Sequence, residues 1–428
     1  MRRTSSWRAS IAVVSLVGVG LMAGIAPGAV AARSCVPSRS GQWQTAAAPA
    51  FAGWPAAQPV VQSTAIVAQA VDPGNASRVY VTNGYAVWTS PDGGCSWTSA
   101  YELPVAQSPR TITSLLVAGG GAHRVLALAQ AQAEQPGTPL LLATTDSGKT
   151  WNESAAGIDV PIWKAYLAAG AGRTTYLSGS AEAGVTTFGA HASVLYRSAD
   201  AGATWARVTS LDSIRSESPM WGDSGGAAGS NAMGTGLVVD PANASRILKW
   251  RNYGTAMLSK DGGVTWTTQA IVVENVGAYI EGAAFVPARA GTRAAIIVVY
   301  NGGLARSDDG GGHWYLVAPP ATVALIGSAV RSASGVRGTE LVVVGYTATP
   351  AGGKCSPMWV GAYSVTRGWR VLANARDACV AEHEYSTWAH HDPLLDVVPV
   401  PGEGAVAFVR ANVVKGGAVA PALRVVRL

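Results

Sequence analysis

Residues 90–97 read SPDGGCSW, and the same eight-residue pattern returns as TTDSGKTW at 144–151, SADAGATW at 198–205, SKDGGVTW at 259–266 and SDDGGGHW at 307–314. The shared form is Ser/Thr-x-Asp-x-Gly-x-x-Trp, five times over. Taking Asp92, Asp146, Asp200, Asp261 and Asp309 as markers, the intervals are 54, 54, 61 and 48 residues, the length of one blade of a β-propeller. Each copy is expected to be a hairpin turn. In that turn Asp accepts hydrogen bonds from backbone N–H groups and Gly takes the left-handed position. Trp97, Trp151, Trp205, Trp266 and Trp314 pack beneath as apolar anchors. Recurrence favours a structural role over catalysis, since one active site does not need five copies.

Working outward, each copy follows three short apolar runs, such as TAIVAQAVDP, SRVYVTN and YAVWTS before the first. Past the fifth copy the cadence continues through TVALIGSAV, TELVVVGY and MWVGAYS to VTRGW, which keeps Gly368 and Trp369 but has lost the aspartate. A last set, LLDVVPVP, AVAFVRA and ALRVVRL, lacks a fourth strand, and SGQWQTAA at 40–47 supplies one. The expectation is an all-β, seven-bladed propeller in which the N-terminal strand 40–47 completes blade 7 (394–428). Such a closure hides the sheet edges.

Arg2, Arg3 and Arg8 precede an apolar run from Ile11 to Ile25, and Ala29-Val30-Ala31 offers a small-x-small cleavage site. Residues 1–31 therefore read as a secretory signal peptide, cleaved near Ala31, with the propeller as a single domain over 32–428. No later apolar run reaches the roughly 20 residues of a membrane span. The predicted product is secreted, extracellular or cell-wall associated, and monomeric. Its Ala, Gly, Val and Arg usage points to a high-GC bacterium. The formal charge of +6 falls once three arginines leave with the leader, to 28 basic against 25 acidic residues. So small an excess excludes nucleic acid as a partner.

Four cysteines in an exported chain predict two disulfides with three possible connectivities. In the blade map Cys35 and Cys95 fall on the face that carries the turns. Cys355 and Cys379 fall on the other, in the 2–3 loop of blade 6 and the loop leaving that blade. The pairing expected is Cys35 with Cys95 and Cys355 with Cys379. The NAS triplets at 75–77 and 243–245 fit a glycosylation sequon, but each follows a Val-Asp-Pro strand end, so turn chemistry is the expected reading.

With these boxes the chain resembles the Asp-box (BNR-repeat) β-propellers, a superfamily of sialidases, sortilin-type receptors, xyloglucan-cleaving glycosidases and photosystem assembly factors. The resemblance spans the whole mature chain. It implies a ligand site on the face opposite the boxes, around the central channel. Two long connections are expected there, 209–234 between blades 3 and 4 and 373–393 between blades 6 and 7. The second gathers Glu382, His383, Glu384, Tyr385, Trp388, His390, His391 and Asp392, and holds three of the six histidines of the chain.

Three chemistries compete for these loops. The histidine spacing matches no zinc pattern, so neither a metal nor a cofactor is expected. Glycoside hydrolysis needs two carboxyl groups flanking the bond. Here WGDSGG at 221–226 is similar to the segment that carries one catalytic aspartate in xyloglucan-cleaving enzymes, which maps that role onto Asp223. The second aspartate of those enzymes falls on Asn83, which cannot ionise, leaving Glu382, Glu384 or Asp392 to complete a pair. A sialidase-like site needs an arginine triad and an Arg-Ile-Pro motif, and the motif is absent. The favoured expectation is a recognition surface without bond-breaking chemistry. Trp221, Tyr385 and Trp388 would be its aromatic anchors, with His383, His390, His391 and Asp392 beside them. Its ligand would be an extracellular or cell-wall glycan or another secreted protein.

Overall fold

The computed structural model describes residues 34–428 apart from 40, 51–65, 105–109, 120–123, 132–138, 161, 183–190, 209–233, 252–255, 270, 272–279, 287–294, 301–302, 322, 330–340, 348–355, 365–366, 381–394, 401–403 and 416–417. The expected leader, 1–31, lies outside the described residues. Among the described residues every regular element is a strand, 28 in all. No helix among them is long and apolar enough to cross a membrane.

After β1 (Trp43–Ala47), blade 1 is β2 (Ala68–Val71), β3 (Val79–Thr82), β4 (Ala86–Ser90) and β5 (Thr98–Glu102). Blade 2 is β6 (Arg110–Val117), β7 (Val125–Ala131), β8 (Leu140–Thr144) and β9 (Asn152–Glu153). Blade 3 is β10 (Ile162–Ala169), β11 (Thr175–Glu182), β12 (His191–Ser198) and β13 (Ala206–Arg207). Blade 4 is β14 (Gly234–Asp240), β15 (Asn243–Arg251), β16 (Ala256–Ser259) and β17 (Thr267–Gln269). Blade 5 is β18 (Ile280–Val286), β19 (Ala295–Tyr300), β20 (Gly303–Ser307) and β21 (Tyr315–Val317). Blade 6 is β22 (Val323–Ala329), β23 (Leu341–Thr347), β24 (Ser356–Ser364) and β25 (Gly368–Val380). The last blade is β26 (Leu395–Val400), β27 (Gly404–Lys415) and β28 (Ala418–Arg427), and β1 completes it, pairing antiparallel with β28 from Trp43 opposite Val426 to Ala47 opposite Ala422.

All blades are antiparallel meanders, and the first strand of each packs on the first strand of the next, with β26 returning to β2 to close the ring. Strands such as β2, β3, β8 and β19 are buried at every residue because both faces of a blade are covered by its neighbours. This is why they read as continuous apolar runs rather than alternating ones. The core lies between blades, as one apolar cluster per junction. Phe408, Val79 and Trp88 join blade 7 to blade 1, and Tyr196 and Leu126 join blade 2 to blade 3.

Two features go beyond the sequence reading. Blades 6 and 7 are one eight-stranded sheet, because the tail of β25 pairs with β27 at Ala378–Val413 and Cys379–Asn412. Cys379 is therefore inside β25 and opposite Pro357 of β24, not in a loop. Its expected partner, Cys355, lies outside the described residues. Cys35 and Cys95 form the predicted disulfide, with Cα atoms 5.2 Å apart.

Candidate functional site

The five boxes sit between the third and fourth strands of blades 1 to 5, all on one face. In each, the carboxylate at the third position is saturated. Asp200 Oδ1 accepts from Ser198 Oγ at 2.7 Å and from the Ala203 and Thr204 N–H groups at 2.9 Å, and its Oδ2 accepts from Thr204 Oγ1 at 2.7 Å. Asp92, Asp146, Asp261 and Asp309 repeat the pattern. The position-one hydroxyl in turn accepts from the position-five Gly N–H, as in Gly94 to Ser90 Oγ at 2.8 Å.

Burial raises the carboxyls of Asp200 and Asp261. Hydrogen bonds from Thr204 and Thr265, then from Ser198 and Ser259, outweigh it and hold both at about 2. Asp146 and Asp309 are also held low, chiefly by the Thr150 hydroxyl and by the His313 N–H. These carboxylates are committed to the geometry of their own turns.

The seventh box position belongs to the motif too. Ser96, Thr150, Thr204 and Thr265 donate a hydroxyl to the aspartate, and His313 Nδ1 lies 2.5 Å from Asp309 Oδ2 in the same place. Trp205 is buried and the other four are half-buried, each packed against the apolar cluster at its blade seam. They act at the seams. Trp97 donates to Ala47 O, Trp205 to Ser154 O and Trp369 to Ala318 O, at 2.9, 2.9 and 2.8 Å, each to the outer edge of the preceding blade. Trp151 and Trp266 bond their own boxes, at Gly148 O and Gly263 O. The first NAS triplet lies in a turn and the second opens β15 directly after one, and in both the Asn Oδ1, of Asn75 and of Asn243, accepts from the N–H two residues on. Arg78 and Arg246 lock both turns to Asp72 and Asp240.

The opposite face carries the 2–3 loops and the connections between blades. Both long connections leave from it, 209–233 between β13 and β14 and 381–394 between β25 and β26. Trp221, Asp223, Glu382, His383, Glu384, Tyr385, Trp388, His390, His391 and Asp392 all fall in them and lie outside the described residues. Their anchors are three blades apart in a ring of seven, so the two connections start from nearly opposite sides of the channel. The second starts from the top of the wall that β24, β25, β27 and β28 raise where blades 6 and 7 fuse. Among the described residues no three His, Cys, Asp or Glu side chains gather as metal ligands.

Asn83, directly after β3, is 1% exposed. Its Oδ1 accepts from the Tyr85 and Ala86 N–H groups, both at 3.0 Å, so it caps the 2–3 turn of blade 1.

Sequence reasoning missed a set of β-bulges at this end of the channel. The innermost strands of blades 2 to 6 each insert one extra residue against their neighbour. The insertions fall at Thr113, at Lys164–Ala165, at Thr235, at Glu281 and at Ile326, each in the strand half nearest the open face. Bulges concentrate where a strand must re-aim a residue. The blade 3 bulge is held by Gln130 of blade 2. Its Nε2 donates to Ala165 O at 2.9 Å and its Oε1 accepts from Ala165 N at 2.7 Å, while Nε2 also meets Thr113 Oγ1 at 2.5 Å. The side-chain amide thus replaces the ladder bonds that the bulge gives up.

No protein-family model matches the sequence, and no curated protein matches it either. Solved structures do match in fold. A structure described as YCF48 bound to D1 peptide superposes with a TM-score of 0.53 at 14% identity, over 91% of this chain and 97% of that one. A GH74 xyloglucanase from Xanthomonas campestris superposes with a TM-score of 0.51 at 17% identity, over 89% of this chain and 55% of that one. At such identities the likeness establishes that the chain is similar to these propellers in architecture.

Proposed function

We propose that the protein is a secreted member of the Asp-box propellers. It would act as a non-catalytic binding module that takes an extracellular or cell-wall glycan, or another secreted protein, on the face opposite the boxes. The observation that carries this reading is the contrast between the two faces. One is closed by five self-satisfied turns, and the other carries the strand ends that flank both long connections, the fused sheet of blades 6 and 7 and the first-strand bulges of blades 2 to 6. The Cys35–Cys95 bridge supports export, because such bonds persist in oxidising compartments. The box hydrogen bonds, the same in five blades, support the family assignment.

The test is native electrophoresis of the mature protein through gels that contain soluble polysaccharides, beside co-sedimentation with insoluble cell-wall glycan. Retardation or pelleting without release of reducing ends is the expected result. Reducing ends released in the same incubations would replace the binding reading with hydrolysis. Glycoside hydrolysis is the second reading, favoured by one observation, that both connections leave the same face. It would use Asp223 with Glu382, Glu384 or Asp392, and Asp223→Asn would then abolish release.

A further inference from the structure

Two corners of the box face carry the same phrase, Asp-Pro-x-Asn-Ala-Ser-Arg, at 72–78 between β2 and β3 and at 240–246 between β14 and β15. Both are built alike. The aspartate Oδ1 accepts from the N–H two residues on, Gly74 at 2.8 Å and Ala242 at 2.9 Å, and its Oδ2 pairs with Arg78 or Arg246. The serine carbonyl accepts from the box of the same blade, Ser77 O from the Gly93 N–H at 2.7 Å and Ser245 O from the Gly262 N–H at 2.8 Å. Within this frame Asp72 and Asp240 are buried, whereas Asn75 and Asn243 are exposed. Each asparagine commits its oxygen to the Ser77 or Ser245 N–H, at 3.1 and 3.0 Å, and the corner makes no use of its carboxamide nitrogen.

We infer that Asn75 and Asn243 are acceptor sites at which the folded chain takes an N-linked oligosaccharide. Asn-x-Ser with x other than proline is the acceptor pattern, and it calls for an amide nitrogen together with a hydroxyl two residues on. The corner and the acceptor are compatible because they use different atoms, Oδ1 for the corner and Nδ2 for the transfer. Nδ2 attacks the anomeric carbon of an oligosaccharide carried on a lipid pyrophosphate. The N–C bond forms, the C–O bond to the pyrophosphate breaks, the lipid pyrophosphate leaves with the electron pair, and one amide proton passes to a carboxylate base of the transferase. The fold discriminates among the three copies of the pattern in the sequence. The third is Asn152-Glu153-Ser154. There Asn152 is exposed, but Ser154 is 4% exposed, its hydroxyl donating to Gly202 O of blade 3 and accepting from Arg124 Nη2 at 2.7 Å. Ser77 and Ser245 are half-buried and open to solvent. Folding therefore withdraws the hydroxyl of the third copy and leaves those of the first two. Both acceptors lie on the box face, so the inference is independent of the binding reading above.

The experiment incubates the folded mature chain with a purified oligosaccharyltransferase and a lipid-pyrophosphate-linked oligosaccharide, followed by intact mass and peptide mapping. A denatured, reduced and alkylated sample is treated in parallel. The folded chain should gain two oligosaccharides, at Asn75 and Asn243, and the denatured chain a third at Asn152. Ser77→Ala and Ser245→Ala should each lose the oligosaccharide of their own corner and keep the other. Near-ultraviolet circular dichroism checks that each variant is folded, and Asn75→Gln and Asn243→Gln carry the test should a serine variant fail to fold. A folded chain left unmodified while the denatured chain is modified would overturn presentation by the corners. Modification of Asn152 in the folded chain as fast as of Asn75 and Asn243 would overturn the discrimination by hydroxyl burial. A denatured chain unmodified at Asn75 and Asn243 would overturn both acceptor sites.

Discussion

The indole N–H of Trp97 donates to the carbonyl of Ala47 at 2.9 Å, and this bond crosses the seam where the first and last blades meet. The same seam is crossed by the Cys35–Cys95 disulfide, by the Cys35 N–H to Asp92 O bond at 2.8 Å and by Gln69 Nε2 to Phe408 O at 3.0 Å. A ring closed by a five-residue strand concentrates its reinforcement there. Replacing Cys35 and Cys95 together by serine should lower the unfolding free energy by about 2–4 kcal/mol, and Trp97→Phe by about 1 kcal/mol. Urea titrations with and without reductant measure both. A midpoint that reductant does not move would mean that pairing of β1 with β28 suffices for closure.

Box positions four and five both take positive φ, and the two occupants of position four that are not glycine, Ser147 and Ala201, sit at 67° and 62°. Left-handed backbone costs a residue with a Cβ about 1 kcal/mol, partly offset by the greater freedom of glycine in the unfolded chain. Ala201→Gly should therefore be neutral or slightly stabilising. The converse changes are graded by space. A Cβ on Gly310 meets nothing within 4 Å, one on Gly202 meets Leu126 Cδ1 at 2.6 Å, and one on Gly94 meets the Ala46 Cβ at 2.7 Å. A leucine tip yields and a Cβ does not, so stability should fall in the order Gly310→Ala, Gly202→Ala, Gly94→Ala. Denaturant midpoints decide the order.

Acid should attack the boxes in a defined window. Asp200 and Asp261 are held at about 2 in the folded chain, below their unfolded value near 3.8. A depressed carboxyl contributes stability that is complete above the unfolded pKa and is lost as pH falls through the folded one. The loss should run from about pH 4 down to about pH 2. Asp200→Asn should be less stable than wild type at pH 7 and should lose less between pH 4 and pH 2. Parallel curves for the two proteins would remove Asp200 from the acid transition.

How much of this was legible in the sequence depended on whether a feature leaves a residue type behind. The boxes did, and so did the relic at Gly368 and Trp369, where φ is +68° and the seam bond to Ala318 survives the loss of the aspartate. Closure by β1 was legible because the last three strands visibly lacked a fourth. Position seven was not, since Ser, Thr and His perform one role with three side chains. Positive φ at position four was hidden by Ser147 and Ala201. The bulges were not legible, because one inserted residue does not interrupt the cadence of apolar runs that marks the first strands, even where that residue is polar, as at Thr113, Lys164, Thr235 and Glu281. The fusion of blades 6 and 7 rests on two residue pairs at the tips of β25 and β27, which the turn-based blade map divides. The candidate site rests on loop length and composition alone, and only the strands that flank its two connections belong to the described residues.

The expected pairing of Cys355 with Cys379 has its own test. Cys379 is opposite Pro357 of β24, while Cys355, its expected partner, lies outside the described residues. Peptide mapping of chain exported into an oxidising compartment should recover Cys355 linked to Cys379, beside Cys35 linked to Cys95. Alkylation of Cys355 and Cys379 without prior reduction would refute the pairing.

Gln130 should matter more than a half-buried amide ordinarily does. It satisfies both backbone groups of Ala165 in the blade 3 bulge, so Gln130→Leu strands a donor and an acceptor at once and should cost about 2–4 kcal/mol. Gln130→Glu separates the two bonds. Its carboxylate can accept from the Ala165 N–H but faces the Ala165 carbonyl with like polarity, and only the protonated acid can donate to that oxygen. Its folded pKa should accordingly lie above the unfolded value of about 4.3, so stability relative to wild type should be recovered below about pH 4 and lost as pH rises through the folded value. Chemical denaturation of wild type, Gln130→Leu and Gln130→Glu at pH 4 and pH 7 tests this. A glutamate variant with the same deficit at both pH values would show that the Ala165 carbonyl does not depend on the donor, and the bulge would then be held by its own strand.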